Sequence, residues 1–228
     1  MKKFIVTSRT ESKGNTCVPA ALLTHSQEEA DTLLLLHALS IDKNAEVVIA
    51  SPDTDVFLLV VQMYPRLPSD ISFLTGKGNL KRNIPVQPVY DKLEQRRSSA
   101  ILGFHALTGS DMSGRFAGRT KEWCFKVFMA CDDDILNAVE SLGYRDLSQE
   151  VYDQLKRFVC QPYRSRVHTK VNELRLFLYS NRTAEGQNLP PTTGSLTYST
   201  GTLHSNDLEK GWRKPSVPPV FCRLWLGV

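Results

Sequence analysis

The spacing of apolar positions changes period several times along the chain. Ala30, Leu33, Leu34, His37 and Ala38 recur at three- and four-residue intervals, the mark of one helical face. Ser26-Gln27-Glu28-Glu29 stands just ahead of them in the S-x-x-E form of a capping box, so a helix is expected over 27–39. The next run, Glu46-Val47-Val48-Ile49-Ala50, is short and β-branched, and Ser51-Pro52 closes it. It reads as a buried strand. Asp53-Thr54-Asp55 then opens a second apolar run from Val56 to Met63, which reads as a helix. Ile71-Ser72-Phe73-Leu74-Thr75 reads as another strand. The turn-forming Gly76-Lys77-Gly78-Asn79 after it makes 82–87 a candidate hairpin partner. From Asp91 onward the pattern is helical over 91–97, 98–108, 119–130, 132–142, 148–159 and 168–180, with Gly143 as a C-cap. Near the N-terminus, residues 4–7 read as a short strand and 8–24 as irregular.

A helix, a strand and a helix in succession argue for an α/β layer on a parallel sheet. The expected organisation is an α/β region over 1–130, a helical extension over 131–180 and a poorly packed tail over 181–228. In that tail Pro190-Pro191-Thr192-Thr193-Gly194 and Pro215, Pro218 and Pro219 break regular structure, and Trp212 and Phe221 to Trp225 are candidate docking points. With 228 residues, 41% of them hydrophobic, the chain can bury one sizeable core. No apolar run reaches 18 residues, so no membrane span is expected. The apolar stretch after Met1-Lys2-Lys3 gives way to polar residues by Ser8, too soon for a secretory signal, so an intracellular chain is expected. The five cysteines include no C-x-x-C pair, which argues against structural zinc and a disulfide framework.

The net charge of +4 is compatible with nucleic acid. Lys77, Lys81, Arg82, Lys92, Arg96, Arg97, Arg115, Arg119 and Lys121 crowd the middle of the chain. Lys77, Lys81 and Arg82 flank a turn from which they could reach phosphates. A solvated basic surface explains the same residues.

Three groups of acids sit at the ends of apolar runs. Glu28, Glu29 and Asp31 fall in the first turn of a helix, Asp53 and Asp55 just past a strand, and Asp111 after Gly109-Ser110 at a helix end. Open α/β sheets bind ligands beyond the carboxyl ends of their strands. Mg²⁺ and Mn²⁺ seek oxygen ligands, and a two-ion site gathers several carboxylates around ions roughly 4 Å apart. The same acids also have local readings: Glu29 as a capping-box residue, Asp31 as a first-turn acid, and Asp53, Asp55 or Asp111 as helix caps. His37 and His105 read as core histidines, and Trp123, Phe125 and Phe128 as core aromatics, with a base-stacking platform as the second reading of the three.

Glu29-Ala30-Asp31 resembles the E-A-E element of flap-endonuclease/XPG-type PIN-like nucleases. Ser51-Pro52-Asp53-Thr54-Asp55 resembles their D-x-D after a buried strand, and Leu107-Thr108-Gly109-Ser110-Asp111 resembles their L-L-G-S-D. The Gly114 to Lys121 stretch, with Arg115 and Arg119, sits where those enzymes place an element that grips duplex backbone. A nearer resemblance is to transposon-associated PIN-like proteins with the pattern H-E-E-A-D-T, S-P-D-T-D-V and G-F-H-A-L-T-G-x-D. It extends to Phe158-Val159-Cys160, Val171 to Arg175, Leu189 to Thr192 and Gly211-Trp212. The resemblance implies a PIN-like α/β fold followed by a helical C-terminal region. It also implies a two-ion Mg²⁺ or Mn²⁺ site held by Glu29, Asp31, Asp53, Asp55 and Asp111, with Asp53, Asp55 and Asp111 catalytic, and DNA as the partner.

Nucleases of this type draw further aspartates from upstream of E-A-E. The 28 residues before Glu29 contain no Asp, so the N-terminal part of the domain is expected to be missing. The alternative is a remnant, without catalysis, that binds nucleic acid or a protein partner in the nucleus. A third reading takes Asp53-Thr54-Asp55-Val56 as the D-x-D-x-[TV] loop of a haloacid-dehalogenase-type phosphatase. It leaves Glu29, Asp31 and Asp111 unexplained, and Ser51-Pro52 separates its first Asp from the strand.

Overall fold

A computed structural model describes residues 5–7, 12–14, 30–109, 116–142, 147–164, 167–181 and 188–194. The fold is α/β, with a three-stranded mixed sheet and many helices. The chain divides into two units, Met1–Glu94 and Gln95–Val228.

In the first unit, β1 (Ile5–Thr7) and β2 (Ser12–Gly14) pair antiparallel, Ile5 opposite Gly14 and Thr7 opposite Ser12. Ser12-Lys13-Gly14 has no apolar alternation, which is why 8–24 reads as irregular. A ribbon of two strands is joined by backbone hydrogen bonds, which polar residues make equally well. Helix α1 (Ala30–Leu39) buries Leu35, His37 and Ala38. The expected capping box at Ser26 lies outside the described residues.

Strand β3 (Val47–Ala50) pairs in parallel with β4 (Ile71–Thr75), Val47 opposite Ile71 and Ala50 opposite Leu74. A parallel pair needs a crossover, and helix α2 (Thr54–Met63) supplies it. Its buried residues are Val56, Leu59, Val60, Val61 and Met63. Ile49, Ile71 and Phe73 are buried on the strands, and the Phe57 ring packs on Phe73 at 5.1 Å between centroids. β3 alternates buried and exposed, with Val48 half-exposed, so it is covered on one face rather than both.

Strand β5 (Arg82–Pro85) returns antiparallel to β4, Ser72 opposite Pro85 and Thr75 opposite Arg82. The sheet is therefore mixed, in the order β3-β4-β5, where the strand–helix pattern predicts a parallel one. The connection over 76–81 is far shorter than the dozen or so residues of a crossover. Gly76, at φ 88°, makes the turn, and a Cβ there would run into the Leu80 carbonyl.

Helix α3 (Val86–Gly109) is interrupted at Glu94, which takes φ 60° and ψ 164°, and the two units divide just after that residue. The pattern predicts two helices there, 91–97 and 98–108. The observed element starts earlier because Pro88 falls in the first turn, where a missing N–H costs nothing. In the second unit, α4 (Lys121–Met129), α5 (Asp133–Glu140), α6 (Gln149–Cys160) and α7 (Val171–Ser180) follow. Side-chain caps start three of them. Thr120 accepts from the Trp123 N–H at 3.2 Å, Asp132 from Ile135 at 3.1 Å and Ser148 from Val151 at 3.3 Å. Gly143, the expected C-cap, lies outside the described residues.

The buried faces of these helices are regular. They present Ile135, Leu136 and Val139 on α5, Leu155, Phe158 and Val159 on α6, and Val171, Leu174 and Leu178 on α7. Phe104 of α3 joins several aromatics, with Phe128 at 4.7 Å, Phe125 at 5.8 Å and Phe158 at 6.3 Å. Beside it, Gly103 meets α5 so closely that a Cβ would strike the Val139 carbonyl. That contact is with backbone, which cannot swing aside. Gly103→Ala should destabilise the second unit by about 2 kcal/mol or more, measured as a lower urea midpoint at unchanged slope. An unshifted midpoint would mean that α3 and α5 are not in close contact.

The same core holds ionisable groups. Burial pushes the Cys131 thiol up to about 12, the Cys160 thiol to about 11 and the Tyr163 phenol to about 12. Folded groups that keep their protons more tightly than the unfolded chain stabilise below the unfolded pKa, 9.0 for the thiols and 10.0 for the phenol. That contribution is lost as pH rises through the folded values. The melting temperature should therefore hold up to about pH 9 and fall between about pH 9 and 12. Circular dichroism melts across that range check it; a flat profile would place these thiols in water.

Candidate functional site

The loop between β3 and α2 is built by short hydrogen bonds. The Ser51 N–H donates to Leu74 O at 3.1 Å, which ties the end of β3 to β4. The Asp53 N–H donates to Ser51 Oγ at 3.1 Å, and Asp53 Oδ1 accepts from the Asp55 N–H at 3.0 Å. Asp53 is thus the N-cap of α2, and Asp55 is in its first turn. Pro52, exposed, stops the strand. Asp53 is exposed and Asp55 half-buried. Both acids stand just beyond the carboxyl end of a parallel strand, beside a helix N-terminus whose dipole favours negative charge. Two residues, Ser51 and Pro52, separate Asp53 from β3, as the phosphatase loop would not have it.

The remaining acids are only partly in view. Asp31 is in the first turn of α1 as described, in the same unit as Asp53 and Asp55. Glu29 and Asp111 lie outside the described residues. Among the described residues, no group of three or more His, Cys, Asp or Glu side chains is placed to hold a metal ion.

Of the basic candidates, Lys77, Lys81 and Arg82 cluster on the exposed β4–β5 turn. Lys121 has a local task. Its ammonium donates to Gly109 O at 2.9 Å, at the end of α3, and lies 2.8 Å from His105 Nδ1. An ammonium has only protons to offer, so that ring nitrogen is the acceptor. Arg119 lays its guanidinium on the Tyr163 ring, 4.8 Å from the centroid. Arg115 lies outside the described residues.

The segment Gly103 to Thr108 has a packing role at most positions. Gly103 admits α5, Phe104 centres the aromatic cluster, His105 meets Lys121, and Thr108 Oγ1 donates to Phe104 O at 2.7 Å. His37 is buried, as its place on an apolar face predicts, whereas His105, expected in the core, is half-buried and meets Lys121. Phe128 is fully buried, whereas Trp123 and Phe125 keep about a third of their surface in water (36% each). Trp123 is held by its Nε1–H, which donates to Pro162 O at 2.8 Å.

One feature escapes the motif pattern. Gly118, Arg119, Thr120, Trp123 and Arg164 line a cleft of about 200 Å³ at the start of α4. Gly118, Arg119 and Thr120 belong to the Gly114 to Lys121 stretch and Trp123 to the aromatic group singled out in the sequence, whereas Arg164 was not selected. Arg164 lies in none of the motifs; its place beside Tyr163 and two positions before Arg166 is the signal that would have found it.

No protein-family model, curated protein or solved structure matches the chain. No described helix is long and apolar enough to cross a membrane.

The cap geometry separates charge from stability at Asp53. Asn caps helices as well as Asp does, whereas Ala cannot. Asp53→Ala should cost about 1 kcal/mol and Asp53→Asn close to nothing, read from chemical denaturation of both variants. Equal losses would show that the cap bond does not form.

Proposed function

We propose that the chain is a metal-dependent nuclease-like domain of PIN-like, flap-endonuclease type that acts on phosphodiester bonds of nucleic acid, DNA above all. The observation that carries this reading is the pair Asp53 and Asp55 on the turn just past the carboxyl end of β3. That is where open α/β sheets bind ligands. The order of the Glu29-Ala30-Asp31, Asp53-Thr54-Asp55 and Gly109-Ser110-Asp111 elements supports it. So does the exposed basic turn with Lys77, Lys81 and Arg82, cations suited to a phosphate backbone. A nuclear location goes with that substrate.

The donor set suits the implied ion. Mg²⁺ takes one or two carboxylates and keeps several waters. Asp53 has lone pairs left after its one cap bond. Asp53 and Asp55 would hold one Mg²⁺ or Mn²⁺ ion. Such ions, when bound, lower the pKa of a ligated water and stabilise the leaving oxygen. The chain's own part is to fix the two carboxylates on a hydrogen-bonded turn and to hold phosphates with its basic side chains.

A second reading, a remnant without catalysis that binds nucleic acid or a protein, is favoured by the cap bond itself. A helix cap is reason enough for an aspartate at position 53.

A cleavage assay with labelled single-stranded, duplex and flap DNA in Mn²⁺ separates the two. The comparison is Asp53→Asn/Asp55→Asn, which retains a capping side chain at 53. Metal-dependent cutting that falls roughly 100-fold or more in the double variant is the expected result. Cutting by neither protein would overturn the nuclease reading and leave the remnant.

A further inference from the structure

We propose that the cleft lined by Arg119, Trp123 and Arg164 is a binding site for the phosphate of a nucleotide ligand. The site lies wholly within the second unit and does not depend on the carboxylates of the first.

Two short segments form its walls, 117–123 and 161–164. They are fastened together by two hydrogen bonds: the Tyr163 hydroxyl donates to Ala117 O at 3.0 Å, and the Trp123 indole donates to Pro162 O at 2.8 Å. Each wall carries an arginine laid on an aromatic ring. Arg119 lies 4.8 Å from the Tyr163 centroid, and Arg164 lies 5.8 Å from that of Trp123. Stacking fixes the plane of a guanidinium while leaving its edge of N–H donors to bind something else.

The charges at this cleft are unbalanced. Among the described residues, neither arginine has a carboxylate within ion-pair distance. The nearby acid in the first turn of α4, Glu122, is engaged with Lys126 at 2.8 Å. Arg119 donates from Nη1 to Gly118 O at 3.3 Å, but its Nε is buried without a hydrogen-bond partner. Buried charged donors normally find an acceptor.

The backbone is unusual at the same place. Arg164 adopts φ 63° and ψ 25° at the end of the 161–163 turn, a left-handed conformation that non-glycine residues rarely take. Such strain gathers at binding sites.

Two planar cations with no carboxylate partner among the described residues suit a phosphate, whose oxygens accept from guanidinium forks. The partly exposed indole of Trp123 adds a surface against which a base can stack. The ligand class is therefore a nucleotide phosphate, from either a mononucleotide or a polynucleotide end.

The test uses the full chain in EDTA, so that metal-dependent cutting plays no part and its failure would be seen separately. Binding is measured for thymidine monophosphate by calorimetry and for 5′-phosphorylated oligo(dT) by fluorescence anisotropy. Arg164→Asn removes the guanidinium and tolerates the left-handed backbone. Lys170→Asn removes a like charge elsewhere on the same unit, at a side chain paired with Glu173. Arg164→Asn should weaken binding about tenfold or more, and Lys170→Asn less than about twofold. Loss with both ligands means that a phosphate monoester suffices; loss with the oligonucleotide alone means that the site takes a polynucleotide phosphate. No binding of either ligand, or equal effects of the two variants, would overturn the proposal.

Discussion

The parallel pairing of β3 with β4 is the constraint on which the first unit depends. Once Val47 lies opposite Ile71, the chain between the strands must travel back along the sheet. The only segment available to make that crossing is 51–70, and its apolar run from Val56 to Met63 becomes the helix that covers the strands. The turn that begins the crossing must then end a strand and start a helix within a few residues. Ser51, Pro52 and Asp53 do this, through a strand stop and a nested pair of side-chain bonds. The two aspartates are brought to the edge of the sheet by the same step that makes the sheet possible.

The second unit is organised differently. Its helices meet around Phe104, and beside it Gly103 leaves room for the Val139 carbonyl. Three residues there have local tasks, Gly103 as a gap for a neighbouring backbone, Phe104 as an aromatic hub and His105 as an acceptor for Lys121.

Much of this was legible in the residues. Ile71 to Thr75 is a strand over its full expected length, and the start of each helix from α4 to α6 follows from Thr120, Asp132 and Ser148, whose side chains cap it. What escaped has physical reasons. β2 is polar and carries no hydrophobic signal. α3 begins before Asp91 because a proline in a first turn looks, in sequence, like a break. At the candidate site, the place of Asp53 and Asp55 beyond a strand was readable from the β-branched run before them, and so was the capping role of Asp53. The pairing of Arg164 with Trp123 was not, because the two are 41 positions apart in the chain and are brought together by packing and by the Trp123–Pro162 and Tyr163–Ala117 bonds.

β5 has a further effect on how this protein behaves among its own copies. A sheet's outermost strand exposes a row of unpaired backbone groups, and a flat, apolar one recruits strands from neighbouring molecules. β5 is only four residues long, opens with the exposed cation Arg82 and closes with Pro85, which has no N–H to offer. On this side the sheet is therefore a poor template for self-association. Its basic turn can stand in solvent at high protein concentration without drawing copies of the chain into a shared sheet.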